Sequence, residues 1–319
     1  MAGITSQQSA RRHAPLFIVA TLMMALKPLL LHQTRATSRG VALPPEQFQL
    51  AAEGLKLLIC GVVLAARHVV DLPAHLWCGL WHTLSFALPA SVYLVMNVLT
   101  VRAARMLTPP VFQLVANLKI FCTAVVSWLF LSRKLAPGQW LSMGLLTLGV
   151  TLGQWPSGSS DDLGTSSMAG VLLMVLNSCL SALGGVLTET VLKSSASAEL
   201  SIFATNVHMA VHSMLLNGLA LATQTPAELP RLDWRLALAV ANEAVNGLLI
   251  SLLLRRLDSI AKNFAFSGSI FVTAALSAVV LGYWPPVQLL VGATLSCSSV
   301  FLFARSASPT PKAAVRKQE

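Results

Sequence analysis

About ten apolar runs of roughly twenty residues, each closed by a short polar or basic stretch, follow one another along the chain. They cover 15–32, 46–66, 80–101, 108–131, 138–155, 169–192, 201–222, 235–255, 263–282 and 286–305. A helix of that length crosses the hydrocarbon core of a bilayer, so the pattern predicts an all-α membrane protein with about ten transmembrane helices. Trp77, Trp81, Trp140, Trp155, Trp234 and Trp284 fall near the predicted span ends, as interfacial anchors do. One Gly/Ser/Asp-rich stretch, WPSGSSDDLGTSS from Trp155 to Ser167, reads as a flexible linker. The division is a first repeat over 1–155, a lumenal-type linker over 156–168, a second repeat over 169–306 and a basic tail over 307–319. An odd number of spans on each side sets the halves in opposite orientation, which predicts two inverted five-helix repeats.

The run from Thr108 to Leu131, TPPVFQLVANLKIFCTAVVSWLFL, carries Lys119 near its middle. A lysine at bilayer depth costs roughly 2.5–3.5 kcal/mol on insertion scales, so it is expected to face the bundle interior or a wet cavity. On a wheel of about 100° per residue, Phe112, Ala116, Thr123 and Ser127 share its side, with Gln113 and Asn117 further round. The same register recurs in the second half. NLKIFCTAVVS, Asn117 to Ser127, aligns with SGSIFVTAALS, Ser267 to Ser277. Further out, Asn97 matches Asn246, Arg105 matches Arg255, and the PxQ at Pro137 matches the PxQ at Pro286. Lys119 is matched by Ser269 and Phe112 by Lys262, so each half supplies one lysine, at different heights of related helices.

Composition agrees with this pattern. Hydrophobic residues make up 55% and charged ones 11% of the 319 residues, and the mean hydropathy is +0.70, against about 25% charged residues in an ordinary soluble domain. The net charge of +10 would suggest nucleic acid in a soluble protein, but most basic residues lie in short loops, so the expected partner is the bilayer and not nucleic acid. In alternate loops the larger basic group includes Arg11, Arg12, Arg67, Arg133, Lys134, Lys193, Arg255, Arg256 and Lys262, which predicts both termini in the cytosol. The polar start, Met1 to Arg12, runs directly into a span that holds Lys27, and no cleaved signal peptide is read. Cys60, Cys78, Cys122, Cys179 and Cys297 lack metal-ligand spacing and read as small buried hydrophobes. There is no GxSxG, no HExxH and no Gly-rich loop followed by lysine, so neither an enzyme nor a cofactor is expected. His208 and His212 are helical neighbours, which permits a metal or proton role; a polar helix face is the other reading, and His82 is similar.

The charged residues within spans divide into two kinds. Glu53 and Lys56, three apart, and Glu189 and Lys193, four apart, can each pair along one helix, with Lys27 a further partner for Glu53. For Glu53 and Lys56 the alternative to such an internal ion pair is a direct ligand role, and Glu53, Glu189 or Glu243 also permits a proton-relay carboxylate. Lys119 and Lys262 have no acidic partner at helical spacing, since Arg255 and Arg256 compete for Asp258. Two such cations suggest an anionic ligand; the bland alternative is that Lys119 snorkels or pairs with Glu53, Glu189 or Glu243. Tyr93 and Asn97, four apart, offer an aromatic face and an amide to a base, or else a packing contact and a helix–helix hydrogen bond.

At these residues the chain resembles the Golgi nucleotide-sugar transporters of the CMP-sialic acid, UDP-galactose and UDP-N-acetylglucosamine branch of the drug/metabolite transporter superfamily. The likeness runs from EGLK (Glu53 to Lys56) through YLVMN, FQLVANLKIFCTA and APGQW to LTETVLK (Leu187 to Lys193) and NGLLISLLLRRLDSIAKNFAFSGSI (Asn246 to Ile270). The resemblance implies a ten-span exchanger of a cytosolic nucleotide sugar for a lumenal nucleoside monophosphate. It implies that Tyr93 and Asn97 contact the nucleotide, that Lys119 and Lys262 hold its phosphate, and that Gln113, Thr123, Asn206 and Ser269 line or adjoin the pocket. The chain departs from the family pattern at Val98, Phe112, Thr205, Arg255, Arg256 and Asn263, so no one substrate carries over. A member that has lost transport and acts as a scaffold or partner of other Golgi membrane proteins stays open. So does a phosphorylated-metabolite exchanger, and so does association as a homodimer.

Overall fold

The computed structural model describes residues 2–37, 45–67, 80–104, 106–107, 109–132, 135–155, 167–223, 233–281 and 286–306. Most of the expected linker, the basic tail, Trp77, Cys78, Arg105 and Trp284 lie outside them. Every regular element among the described residues is a helix. In chain order these are α1 (Ala2–Thr37), α2 (Pro45–Arg67), α3 (Leu80–Ser85), α4 (Ala87–Ala104), α5 (Pro109–Ala116), α6 (Leu118–Leu131) and α7 (Pro137–Gly153). The remainder are α8 (Met168–Lys193), α9 (Ser195–Glu199), α10 (Ile202–Ala222), α11 (Trp234–Arg256), α12 (Ser259–Leu281) and α13 (Val287–Ser306).

Seven of the described helices are long and apolar enough to cross a membrane. The expected fourth span is interrupted: it breaks at Asn117 into α5 and α6, leaving 14 residues in the second piece. The Asn117 amide there donates to Gln154 Oε1 at 3.2 Å. α7 is a residue short of the length counted, and α10 is long enough but carries Asn206, His208, His212, Ser213 and Asn217. α12 begins at Ser259, so Lys262 lies inside its first turns and not ahead of the span. Leu58, Val62, Phe130, Leu172 and Leu219 are exposed on the outer surface, as lipid-facing residues are. Trp81, Trp155 and Trp234 are exposed at helix ends.

Polar atoms inside spans are satisfied mainly within their own turn. Thr123, Thr147, Thr188, Thr190, Ser251 and Ser267 each donate to the carbonyl four residues back, the usual way of hiding a hydroxyl where no water can reach. The expected cysteine burial holds only for Cys60. Cys179 and Cys297 are exposed, and Cys122 is half-buried with its Sγ 3.7 Å from that of Cys179. In a bilayer an outward thiol meets lipid and not water, so it carries no desolvation penalty for facing out.

The helix pairings repeat when the halves are exchanged. α1 packs on α11 and α12, while α8 packs on α4 and α6; α2 pairs with α10, and α7 with α13. The last pair approaches closest. A methyl group on Gly292 would lie 2.4 Å from the Gly149 carbonyl oxygen and 2.6 Å from Gly153 N, and one on Gly149 would lie 2.9 Å from the Gly292 carbonyl oxygen. Gly149/Gly153 on α7 thus meets Gly292/Ser296 on α13, the small-residue spacing that lets membrane helices touch through their backbones. Beside this seam Ile120, Ala124, Met143, Leu146, Val150, Ile260 and Phe264 form one buried cluster joining α6, α7 and α12.

A polar clasp ties one end of the bundle. Glu189, fully buried on α8, accepts from Lys193 Nζ at 2.9 Å and from the backbone N and hydroxyl of Ser259 at 2.8 Å each. Lys193 Nζ also donates to the Leu257 carbonyl, and Arg255 Nη2 donates to the carbonyls of Ser197, Ala198 and Leu200. The clasp joins α8, α9, α11 and α12. Removing one partner of a buried charge network typically costs roughly 3–5 kcal/mol. Glu189→Ala is therefore expected to lower the melting temperature of the purified protein clearly. A melting temperature within a degree of the unaltered protein would mean that these bonds do not hold that end shut.

Candidate functional site

A cavity of about 730 Å³ occupies the centre of the bundle, within the range of small-molecule sites. Helical spacing builds its walls. On α4, Phe86 in the preceding turn, then Pro89, Ala90, Tyr93 and Asn97, recur at three and four residues and form one inward stripe. Pro89 is tolerated because it is the third residue of α4, where a backbone N–H has no intrahelical acceptor in any case. Gly184, at 3.4 Å from Tyr93 Cζ if it bore a methyl, gives the ring its room on α8.

Two cations face this space. Lys119 is the second residue of α6, and its Nζ sits 3.6 Å from the centroid of the Phe266 ring. Lys262 lies one turn before Phe266 on α12, with Nζ 3.1 Å from the position a methyl on Gly185 would take. Neither has a carboxylate within ion-pair distance among the described residues. The acids that might have paired with Lys119 are engaged elsewhere: Glu53 with Lys56 at 2.5 Å, Glu189 with Lys193 at 2.9 Å, and Glu243 with Lys27 at 2.8 Å. These contacts match the pairings expected along α2 and α8, and they reassign Lys27 from Glu53 to Glu243. Both free lysines occupy the first turns of their helices, where the macrodipole adds positive potential.

Of the residues singled out from the sequence, Tyr93, Asn97, Lys119, Lys262 and Ser269 come together on the cavity wall. Thr123 and Asn206 do not. Thr123 is buried one turn behind Lys119, whose carbonyl it binds at 2.7 Å. Asn206 is fully buried behind Ser251, accepting its hydroxyl at 2.9 Å. Thr123 and Ser127 share the wheel face of Lys119, but one and two turns further along α6 that face is buried against neighbouring helices and not open to the cavity. Gln113 lies on α5, with its side chain outside the described ones. His208 stacks on Phe86 at 5.3 Å, His212 Nδ1 lies 2.8 Å from the His208 carbonyl, and His82 contacts Ser197 Oγ at 2.9 Å. Among the described residues no three metal-ligating side chains cluster.

The sequence reading missed one wall. It is made by Lys27 on α1, Gln49, Glu53 and Lys56 on α2, and Glu243 and Asn246 on α11. Gln49 Nε2 donates to Glu53 at 3.1 Å, and Gly247 leaves space for Lys56, whose Nζ would be 3.6 Å from a methyl there. Its signals were the charges within spans at Lys27, Glu53, Lys56 and Glu243, read there as ion pairs or relays, and the internal repeat, which pairs Asn246 with Asn97; both asparagines line the cavity. Heights along the bundle follow from two bonds to α1. Thr273 Oγ1 donates to the Ala25 carbonyl and Asn242 Nδ2 to the Met23 carbonyl. The Lys27–Glu243 pair is thus level with Thr273, about 16 Å along α12 from Lys262 and about 10 Å from Phe266 beneath Lys119.

The family described as nucleotide-sugar transporter matches residues 13–304. The chain is 28% identical over 312 residues to the UDP-galactose/UDP-N-acetylglucosamine transporter srf-3 of Caenorhabditis elegans, covering 94% of this chain and 84% of that one. It is 32% identical over 243 residues to the UDP-N-acetylglucosamine transporter of Mus musculus, covering 71% and 72%. Identity to CMP-sialic acid transporter 1 of Arabidopsis thaliana is 28% over 232 residues, covering 68% and 67%. A crystal structure at 13% identity superposes with a TM-score of 0.70 over 92% of this chain and 97% of that one, a likeness of fold.

Proposed function

The chain belongs to the nucleotide-sugar transporter family, and on that premise we propose that it brings a cytosolic UDP- or CMP-linked sugar across the Golgi membrane in exchange for a lumenal nucleoside monophosphate. The observation that carries this reading is the pair of cavity-facing ammonium groups, Lys119 and Lys262, with no carboxylate in ion-pair distance among the described residues. Phosphate oxygens fit them, because the lysines come from the first turns of two helices whose positive ends add to the attraction. Tyr93 and Asn97 flank the base, Ser269 offers a hydroxyl beside Lys119, and Gln113 adjoins the site from α5. Thr123 and Asn206 act from behind, the first on the Lys119 backbone and the second on Ser251.

Transport then follows from two five-helix halves rocking around the cavity. The exchange symmetry of the helix pairings, and the approach of α7 to α13, support ten spans in two inverted repeats. The basic residues at the clasp, Lys193, Arg255 and Arg256, favour a cytosolic clasp end and cytosolic termini through the positive-inside bias. In this conformation the clasp closes the cytosolic side. The cavity extends the other way toward Gln154, Pro28 and Asn217.

A thermal-shift panel of CMP, UMP, GMP and AMP on purified protein tests the reading, since a ligand at a hundred times its Kd stabilises by about 2.7 kcal/mol. One monophosphate is expected to raise the melting temperature, and the same one preloaded into proteoliposomes should accelerate uptake of its nucleotide sugar. Stabilisation by small phosphates alone, or by nothing, would overturn it. The scaffold reading is not favoured: the relatives matched are named as transporters, and an unoccupied partner surface would not need two free cations in a central cavity.

A further inference from the structure

We propose that the wall formed by Lys27, Glu243, Asn246, Glu53 and Lys56 is a charge-balanced sugar subsite that accepts a neutral hexose or N-acetylhexosamine and rejects a sugar acid. The inference rests on the nucleotide-sugar reading above and names the sugar class for that site. Along this wall two lysines face two glutamates, paired at 2.8 Å and 2.5 Å, so no positive charge is left over. Farther along the bundle, the unpaired cations Lys119 and Lys262 are matched by the two charges of a diphosphate. A carboxylate on the sugar would bring a third anion to a wall that already holds Glu243 and Glu53, and it could gain a cation only by taking Lys27 or Lys56 from its own partner.

The wall is polar but carries no net charge. Glu243, Asn246 and Asn217 border the cavity there, and the two asparagines are each 5% exposed. The hydroxyl and acetamido N–H groups of a neutral sugar donate to carboxylate and amide side chains without bringing a charge to the wall. Lys27, Lys56 and Gln49 are the complementary donors for ring and hydroxyl oxygens. The offset of about 10 Å between the level of Lys119 and that of the Lys27–Glu243 pair leaves length for a sugar beyond the phosphates.

The test compares UDP-N-acetylglucosamine with UDP-glucuronic acid, which share base and diphosphate and differ in sugar charge. Each displaces labelled UMP from the purified full-length protein, and UMP, having no sugar, is the reference for every variant. The unaltered protein is expected to prefer the neutral sugar at least tenfold. Glu243→Gln frees Lys27 and should shift the ratio about tenfold toward the acid. Lys27→Gln leaves Glu243 unpaired and should widen the preference, and the double variant should return close to the starting ratio. An ion pair that only holds helices together would change stability and UMP affinity but leave the ratio alone. Equal affinity for the two sugars, an unchanged ratio in Glu243→Gln, or binding of CMP and CMP-sialic acid with UMP excluded would overturn the proposal. Failure of UMP, CMP, GMP and AMP alike to bind would instead remove the proposed function on which it rests.

Discussion

Lys119→Ala and Lys262→Ala are each expected to lower nucleotide-sugar uptake in proteoliposomes by at least a hundredfold. At an effective dielectric of about 20, one charge pair at 4 Å contributes about 4 kcal/mol, or nearly three decades of affinity. Among the described residues no carboxylate lies within ion-pair distance of either lysine, so the alanine variants break no ion pair there and also remove the cost of burying an unpaired ammonium, roughly 2.5–3.5 kcal/mol on insertion scales. The ligand-free melting temperature should therefore hold or rise while stabilisation by the nucleoside monophosphate disappears. Lys119→Arg keeps the charge with a different fork and should retain part of the activity. Normal uptake in both alanine variants would show that these cations do not hold the transported anion.

Gly292→Val should be the most damaging apolar change. The methyl position at Gly292 meets the backbone of α7, at 2.4 Å from the Gly149 oxygen and 2.6 Å from Gly153 N, and backbone cannot swing aside as a side chain would. The two helices must separate, which costs at or above the roughly 1–3 kcal/mol typical of overpacking. Gly144 on the same α7 has nothing within 4 Å of its methyl position. Gly144→Ala should thus be neutral, or stabilising by up to about 1 kcal/mol through helix propensity. Thermal melts of the two variants in detergent separate these outcomes. If Gly292→Val melts with the unaltered protein, α7 and α13 are not held through their backbones.

The seam between α7 and α13 also shows where reading the sequence stops. GVTLG and GATLS are visible in the chain, but only packing reveals that they meet each other and not two other helices. Lys119 was conspicuous because an ammonium in an apolar run is unfavourable wherever it lies. That Glu53, Glu189 and Glu243 were unavailable to it could not be read, since Glu243 pairs with Lys27 over 216 positions of sequence. Thr123 looked like a cavity residue because it shares a helix face with Lys119, but one turn further along α6 that face is packed against other helices. Its hydroxyl closes on its own backbone instead.

By itself the sequence determined the helical class, most helix ends to within a few residues and the match of Asn97 with Asn246, and it singled out two lysines with no acidic partner at helical spacing. Each of these follows from the local requirement that backbone and charge be satisfied inside lipid, which every segment meets or fails on its own. The tertiary structure alone decided which acid neutralises which base, which small residues touch, and which polar side chains border the cavity. Those are properties of pairs of helices brought together from opposite halves, and no periodicity within one helix encodes its neighbour.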